Sequence, residues 1–415
     1  MKGKFLFFNF IAFVAFCSCS KEKLELCEAN DLAINKSEKA KRNVLEFMLQ
    51  MESETRGLQS HRIIDSVEPY VLPSTRSALG INGDTLFYVV NFADNNGFAI
   101  ATPDDEYGGV IAFVESGSFK TAICNPESGF CDLMENLVLS KVMDEKTGPE
   151  TNFKDEDKMP VVDDPSVRPQ DKFEIMKPLL VTQWGQGDPY NALCPGKYTG
   201  CVATAVSQIC TFLEIPNCVK YNSGASVVLD WTSIKAESYT YAHQYGIDYS
   251  PEIKYQIAYL MRFWGTAFGA KYKSDRTSID TEKAVNTMRN NFNINVTKLA
   301  DYNADNVIND LKKNKIILMR GADHSRHIIF VFNEYYGRHA WVVDGYIDRL
   351  YYGVSTKYLH CNWGWSGKAN GYFCCDCFDT DNGLQYNDEG IKDTNSNPDG
   401  GYNFRENLQT ATFSK

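Results

Sequence analysis

Cys201 follows Gly200 and opens the run Val202, Ala203, Thr204, Ala205, a string suited to the first turn of a helix. A helix N-terminus presents unpaired N–H groups and a partial positive charge, which favour thiolate over thiol and make such a cysteine a candidate nucleophile. A cysteine is also good apolar packing, so its partners must decide its role. A thiol nucleophile needs a base, a group that orients the base, and donors for the oxyanion of a tetrahedral intermediate. Of the six histidines, His339 is the best placed: it follows Gly337 closely and begins a strand in which Trp341 and Val343 share its face by two-residue alternation. Asn362, inside His360-Cys361-Asn362-Trp363-Gly364-Trp365, can accept from an imidazole N–H and fix its tautomer, with Trp363 and Trp365 shielding that bond from water. Gln186, in the polar turn from Trp184 to Asn191, can offer its side-chain N–H to an oxyanion beside the backbone N–H of Cys201.

These residues need elements to hold them. Apolar spacing predicts helices from Ser37 to Arg56, from Gly200 to Ile215 and from Tyr255 to Phe268. Alternation and β-branched content predict strands from Thr85 to Phe92, Phe98 to Thr102 and Gly109 to Val114, with a turn at Asn95, Asn96 and Gly97. A helix over Asp132 to Met143 would close this N-terminal unit. After Lys315 the pattern changes to strands over Ile316–Met319, Ile328–Phe332, His339–Tyr346, Tyr358–Trp363 and Gly371–Phe373. Helices first and an antiparallel sheet afterwards make an α+β arrangement, not an alternating parallel one. Between Asp144 and Asp164 there are eight acidic residues and three lysines, interrupted by Pro149 and Pro160, which reads as a linker. Asp379 to Gly401, rich in Asp, Asn and Gly, reads as a loop.

The chain divides accordingly into residues 1–19 as a signal, 20–143 as a small α+β domain, 144–176 as the acidic linker and 177–415 as the larger domain. A net charge of −11 without any basic cluster argues against nucleic acid as a partner. Lys2 and Lys4 ahead of the apolar Phe5–Phe16 read as an export signal. Phe16-Cys17-Ser18-Cys19 resembles a lipobox, so Cys19 is the expected lipid-bearing residue and the cell envelope the expected location, with simple secretion as the alternative. Thirteen cysteines leave an odd set beyond Cys17 and Cys19, so at least one thiol stays unpaired if pairing is intramolecular; Cys124 with Cys131 and Cys194 with Cys218 are candidate pairs. Cys374, Cys375 and Cys377 near His360 and Cys361 lack the paired Cys-x-x-Cys spacing of a structural zinc site.

Gln186, Gly187, Pro189, Tyr190 and Asn191, then Gly200 to Ala205, then His339, Ala340, Asp344 and Gly345, then Asn362 to Trp365 resemble the motifs of streptopain-like cysteine proteases. Phe263 to Tyr272 and Gly401-Tyr402-Asn403 extend the resemblance, which covers nearly all of Lys177 to Lys415. It implies a papain-like fold with a helical half and an antiparallel sheet half, preceded by a small α+β pro-domain that keeps the enzyme latent. It implies Cys201 as nucleophile, His339 as general acid–base, Gln186 as oxyanion donor, Asn362 as the papain-type asparagine and Trp363 as part of an aromatic wall. The linker becomes an expected activation site. Protein or peptide substrates are implied, with no cofactor and a requirement for reducing conditions. Two rivals remain on sequence grounds: a catalytically silent surface lipoprotein that binds protein in the same cleft, and an N-terminal domain acting as a separate protease inhibitor.

Overall fold

The computed structural model describes residues 36–52, 62–71, 85–103, 109–123, 172–220, 226–244, 247–292, 294–322, 324–327, 333–336, 338–351, 354–378 and 406–415. The N-terminal segment with Cys19, the helix expected over 132–143, the linker up to residue 171, Cys124 and Cys131, the strand expected over 328–332 and the loop over 379–401 lie outside these residues. No helix among the described residues is long and apolar enough to cross a membrane.

A helix over 36–52 (α1) is followed by β1 (Ile64–Val71), β2 (Thr85–Phe92), β3 (Phe98–Ala101), β4 (Val110–Val114) and the short α2 (Phe119–Ile123). Beyond the linker come β5 (Lys172–Met176), α3 (Cys201–Leu213), α4 (Trp231–His243), α5 (Pro251–Phe268), α6 (Thr281–Asn291) and α7 (Ala304–Lys312). The chain then forms β6 (Ile316–Ala322), β7 (His339–Tyr351), β8 (Val354–Asn362), β9 (Gly371–Cys374) and β10 (Glu406–Ser414). The helices have local causes. α4, α6 and α7 are capped by Asp230, Asp280 and Asn303, whose side chains accept from Ser233, Lys283 and Asn306 N–H groups. α5 has Pro251 in its first turn and ends at Gly269 with φ 72°.

One antiparallel sheet runs through the molecule in the order β1-β2-β3-β4-β9-β8-β7-β6-β10. The thirteen-residue β7 pairs with β8 along one edge, and along the other with β6 through residues 339–343 and with β5 through 346–350. Alternation along its strands feeds two cores. Ile316, Leu318, Ala340, Val342, Ala411 and Phe413 face the helices α3 and α5, whereas Ile317, Met319, Trp341, Val343 and Ile347 face α1 and α7. The sheet is therefore the middle of three layers, and the residue-201 end of α3 packs along β7.

Lys172–Met176, expected as the end of the linker, is strand β5. Glu174 accepts from the Tyr346 hydroxyl at 2.5 Å and pairs with Lys172 and Lys312 at 3.0 and 3.3 Å. The Tyr346 hydrogen bond leads in holding its carboxyl down to about 2. Its partner strand is remote in sequence, so nothing local marked this segment as β.

Candidate active site

Cys201 is the first residue of α3, and Gly200 before it takes φ 93°, a backbone conformation open to glycine, so the chain turns into the helix without a side-chain cap. The thiol meets the N–H groups of Ala340, Val202 and Cys201 itself, which favour thiolate, but burial is the larger effect and pushes its pKa up. In this state Cys201 is a thiol, whereas its helix position alone favours a thiolate.

Ala340, whose N–H meets the thiol, is the neighbour of His339, the first residue of β7, so the start of this strand lies against the N-terminus of α3. His339 Nε2 lies 2.9 Å from the Trp363 carbonyl. A carbonyl only accepts, so Nε2 carries the hydrogen and Nδ1 is the basic nitrogen. The ring stacks on Trp365 at 5.0 Å and lies 6.0 Å from Trp341. Burial among these indoles lowers the His339 pKa to about 4 against the pull of the Trp363 carbonyl, so the imidazole is neutral at pH 7.

Asn362 does not reach the imidazole. Its Oδ1 accepts from Gln208 Nε2 at 3.2 Å and Gly364 N–H at 3.3 Å, and its Nδ2 donates to the Thr182 carbonyl at 2.8 Å. With those bonds made, the orienting role expected of this side chain falls to the backbone carbonyl of the next residue. The Trp363 indole is itself fixed, donating to the Ala369 carbonyl at 3.0 Å, while its N–H donates to Asn370 Oδ1 at 3.0 Å. Gly364, at φ 74°, lets this turn approach α3: a Cβ there would sit 3.3 Å from Thr204 Cγ2.

Gln186 is half-buried, and its carbonyl accepts from Thr199 N–H at 2.9 Å, which anchors its turn two residues before Cys201. Gly185 packs against Ser366, whose N–H donates to the Trp184 carbonyl at 3.3 Å. The turn bearing Gln186, the N-terminus of α3, the start of β7 and the 362–366 turn thus converge. Cys194 and Cys218, a candidate disulfide, are both free thiols. Among the described residues no group of three His, Cys, Asp or Glu side chains could hold a metal ion.

The model of the peptidase C10 family matches residues 184–373, which contain Gln186, Cys201, His339, Asn362 and Trp363, and that of the Spi protease inhibitor matches residues 33–138. Residues 184–373 of the chain are thus similar to the peptidase C10 family. Over 320 residues the chain is 27% identical to the thiol protease/hemagglutinin PrtT of Porphyromonas gingivalis, covering 70% of this chain and 34% of that protein. It thus spans about a third of that relative's length. Streptopain of Streptococcus pyogenes is 24% identical over 330 residues, covering 70% of this chain and 73% of streptopain. A structure of a prointerpain A fragment from Prevotella intermedia is 20% identical with a TM-score of 0.49, covering 84% of this chain and 97% of that one.

The Spi-like region of the chain is bonded to its peptidase-like region edge to edge. β4 pairs with β9 through Val114–Gly371, Phe113–Tyr372 and Ala112–Phe373, so the pro-domain sheet continues the peptidase sheet. Phe47 of α1 packs on Tyr358 and Phe173 at 5.4 and 5.6 Å, Arg349 Nε donates to Gln50 Oε1 at 2.8 Å, and the Tyr351 hydroxyl donates to Glu46. Next to the β4–β9 junction, His360 lies between Asp344, 2.6 Å from its Nδ1, and Glu115 of the pro-domain, 3.4 Å from its Nε2. Burial alone would lower the His360 pKa, but the two carboxylates lift it to about 10. Glu115 N–H also donates to the Asn370 carbonyl at 3.1 Å, and Asn370 in turn holds Trp363, the acceptor of His339. The pro-domain therefore touches the turn that orients the imidazole. Sequence reading missed Gln208, Glu115 and Asn370; only Gln208 carried a signal, as an amide inside a mostly apolar helical run.

Proposed function

We propose that this chain is a cysteine endopeptidase made as a latent zymogen, with Cys201 and His339 as its dyad and protein or peptide chains as substrates. The observation that carries this reading is the thiol of Cys201 at the amide next to His339, with His339 Nε2 committed to the Trp363 carbonyl. Nδ1 takes the thiol proton, and the thiolate sulfur bonds to the carbonyl carbon of the scissile peptide. The resulting oxyanion receives the Cys201 N–H and the Gln186 side-chain amide. The imidazolium gives its proton to the leaving amine as the C–N bond breaks, leaving a thioester. Water, deprotonated by Nδ1, then attacks the thioester and releases the acid and the free thiol.

Latency has a physical reading. The buried dyad is held as neutral thiol and neutral imidazole, and the pro-domain is bonded to the turn that carries the His339 acceptor. Cleavage in the acidic stretch before β5 would leave Lys172–Met176 with the peptidase sheet it completes. Export by the N-terminal segment, with lipid on Cys19 holding the enzyme to the cell envelope, belongs to the same reading. Lys2, Lys4 and the apolar Phe5–Phe16 support it, and an intact mass without the diacylglycerol increment would remove the anchor.

The experiment is turnover of a fluorogenic peptide by the processed chain in reducing buffer, beside Cys201→Ala. Hydrolysis by the wild type and none by the variant is the expected result. Equal hydrolysis by both would overturn the mechanism.

A further inference from the structure

Gln208 lies seven residues after Cys201 on α3, two turns along the same face, and is fully buried. Its side chain joins three segments. Oε1 accepts from Trp184 N–H at 3.0 Å, and Nε2 donates to Asn362 Oδ1 at 3.2 Å. Trp184 begins the turn that carries Gln186. Asn362 precedes Trp363, whose carbonyl holds His339 Nε2. The direction of each bond is fixed by its partners: Trp184 N–H can only donate, and Asn362 presents Oδ1 because its Nδ2 is committed to the Thr182 carbonyl. One end of residue 208 must therefore accept while the other donates, which an uncharged amide does and a carboxylate does not.

We propose that Gln208 is a positioning residue of the candidate site, setting the nucleophile helix, the Gln186 turn and the carbonyl that orients His339 in one geometry. It rests on the Cys201–His339 reading of the site. Gln208 touches neither substrate nor reacting atoms. Its effect is on the distance between groups that do, and a misplacement of about 1 Å in such groups costs on the order of a hundredfold in rate. Volume alone does not account for it, because packing would be met by any apolar side chain of the same size.

The test uses the full chain, processed to the active form, carrying Gln208→Glu. When protonated, the introduced carboxyl can accept from Trp184 N–H and donate to Asn362 Oδ1, reproducing the amide pattern. When ionised it can only accept, and its charge opposes Asn362 Oδ1. The ratio of variant to wild-type kcat should be near one at about pH 5 and fall about 10- to 100-fold by about pH 8.5, since burial raises a carboxyl's pKa into this range. KM should change less than about twofold, the mark of lost transition-state positioning and not of lost substrate binding. A ratio that stays flat across this range at the wild-type level overturns the proposal. Gln208→Met, of similar volume without either bond, provides a second arm: a kcat loss that does not depend on pH supports positioning, and wild-type kcat overturns it even if the glutamate variant fails to fold. A wild-type chain that hydrolyses nothing after processing would instead refute the protease reading, so the two failures are told apart.

Discussion

Replacing Glu115 by Gln should loosen the pro-domain through one charge. Glu115 Oε2 stands 3.4 Å from His360 Nε2, and Asp344 holds the opposite ring nitrogen at 2.6 Å. Arg62 adds a cation on the pro-domain side, its guanidinium donating to the Glu115 carbonyl at 3.2 Å, and Tyr372 packs its ring 5.0 Å from the imidazole. At an effective dielectric constant of about 20 the Glu115–His360 attraction would approach about 5 kcal/mol. Glu115 is 33% exposed and borders a cavity of about 230 Å³, so water screening reduces the useful part to about 1–2 kcal/mol. That corresponds to roughly 5- to 30-fold in the fraction of chain with its pro-domain released.

The sign with pH follows from the two shifts. Glu115 is held below its ordinary 4.5: burial opposes this, and His360 and Arg62 outweigh it, so its contribution is present above pH 4.5 and lost as pH falls through the lower folded value. His360 is raised from 6.5 to about 10, so its contribution is complete below pH 6.5 and lost as pH rises through 10. The difference between wild type and Glu115→Gln should be greatest between about pH 4.5 and 6.5, remain at pH 7, and vanish in stronger acid, where the wild-type carboxyl is protonated as well. Thermal unfolding of the full chain and its rate of activation, both followed against pH, are the assays. Coincident curves for the two proteins between pH 5 and 8, on the order of the range just derived, would refute the reasoning.

Gly371→Val should break the seam between the two regions, since a Cβ there would lie 2.2 Å from the Phe113 carbonyl oxygen and 2.8 Å from Val114 Cα. The full chain should activate more than about tenfold faster, two ladder hydrogen bonds being worth about 1 kcal/mol each, while kcat/KM of the processed enzyme stays near wild type. Activation at the wild-type rate would count against the β4–β9 seam as the seat of latency. Asn362→Ala should cost about 2–4 kcal/mol in urea unfolding by stranding Gln208 Nε2 and the Gly364 N–H. His339 should keep its proton on Nε2 in nitrogen-15 spectra of that variant, and a change of tautomer would restore Asn362 as the orienting group.

What was legible in the chain was local. Gly200-Cys201 ahead of an apolar run marks a helix start, and the alternation of His339, Trp341 and Val343 marks a strand with the imidazole on one face. The hairpin from Thr85 to Ala101 was announced by its Asn-Asn-Gly turn. What was hidden depends on pairing between distant residues or on backbone atoms. Glu115 and His360 meet across 245 positions, and β4 finds β9 across a similar span. The Trp363 carbonyl has no sequence signature, because every residue has one, so the side chain of Asn362 drew the role instead. The protonation state of Cys201 was hidden for a related reason: helix position is visible in sequence, whereas the burial that keeps Cys201 a thiol is a property of the packed fold.

The central claim is that Cys201 and His339 form a dyad that the pro-domain region keeps uncharged. Its most direct test is the rate at which a peptidyl thiol-reactive electrophile labels the chain before and after cleavage ahead of Lys172, with the modified residue located by peptide mass. Slow labelling of the full chain, fast labelling of the processed chain and a single adduct on Cys201, lost in His339→Ala, are the predicted results. Equal rates before and after cleavage, or an adduct on another cysteine, would contradict it.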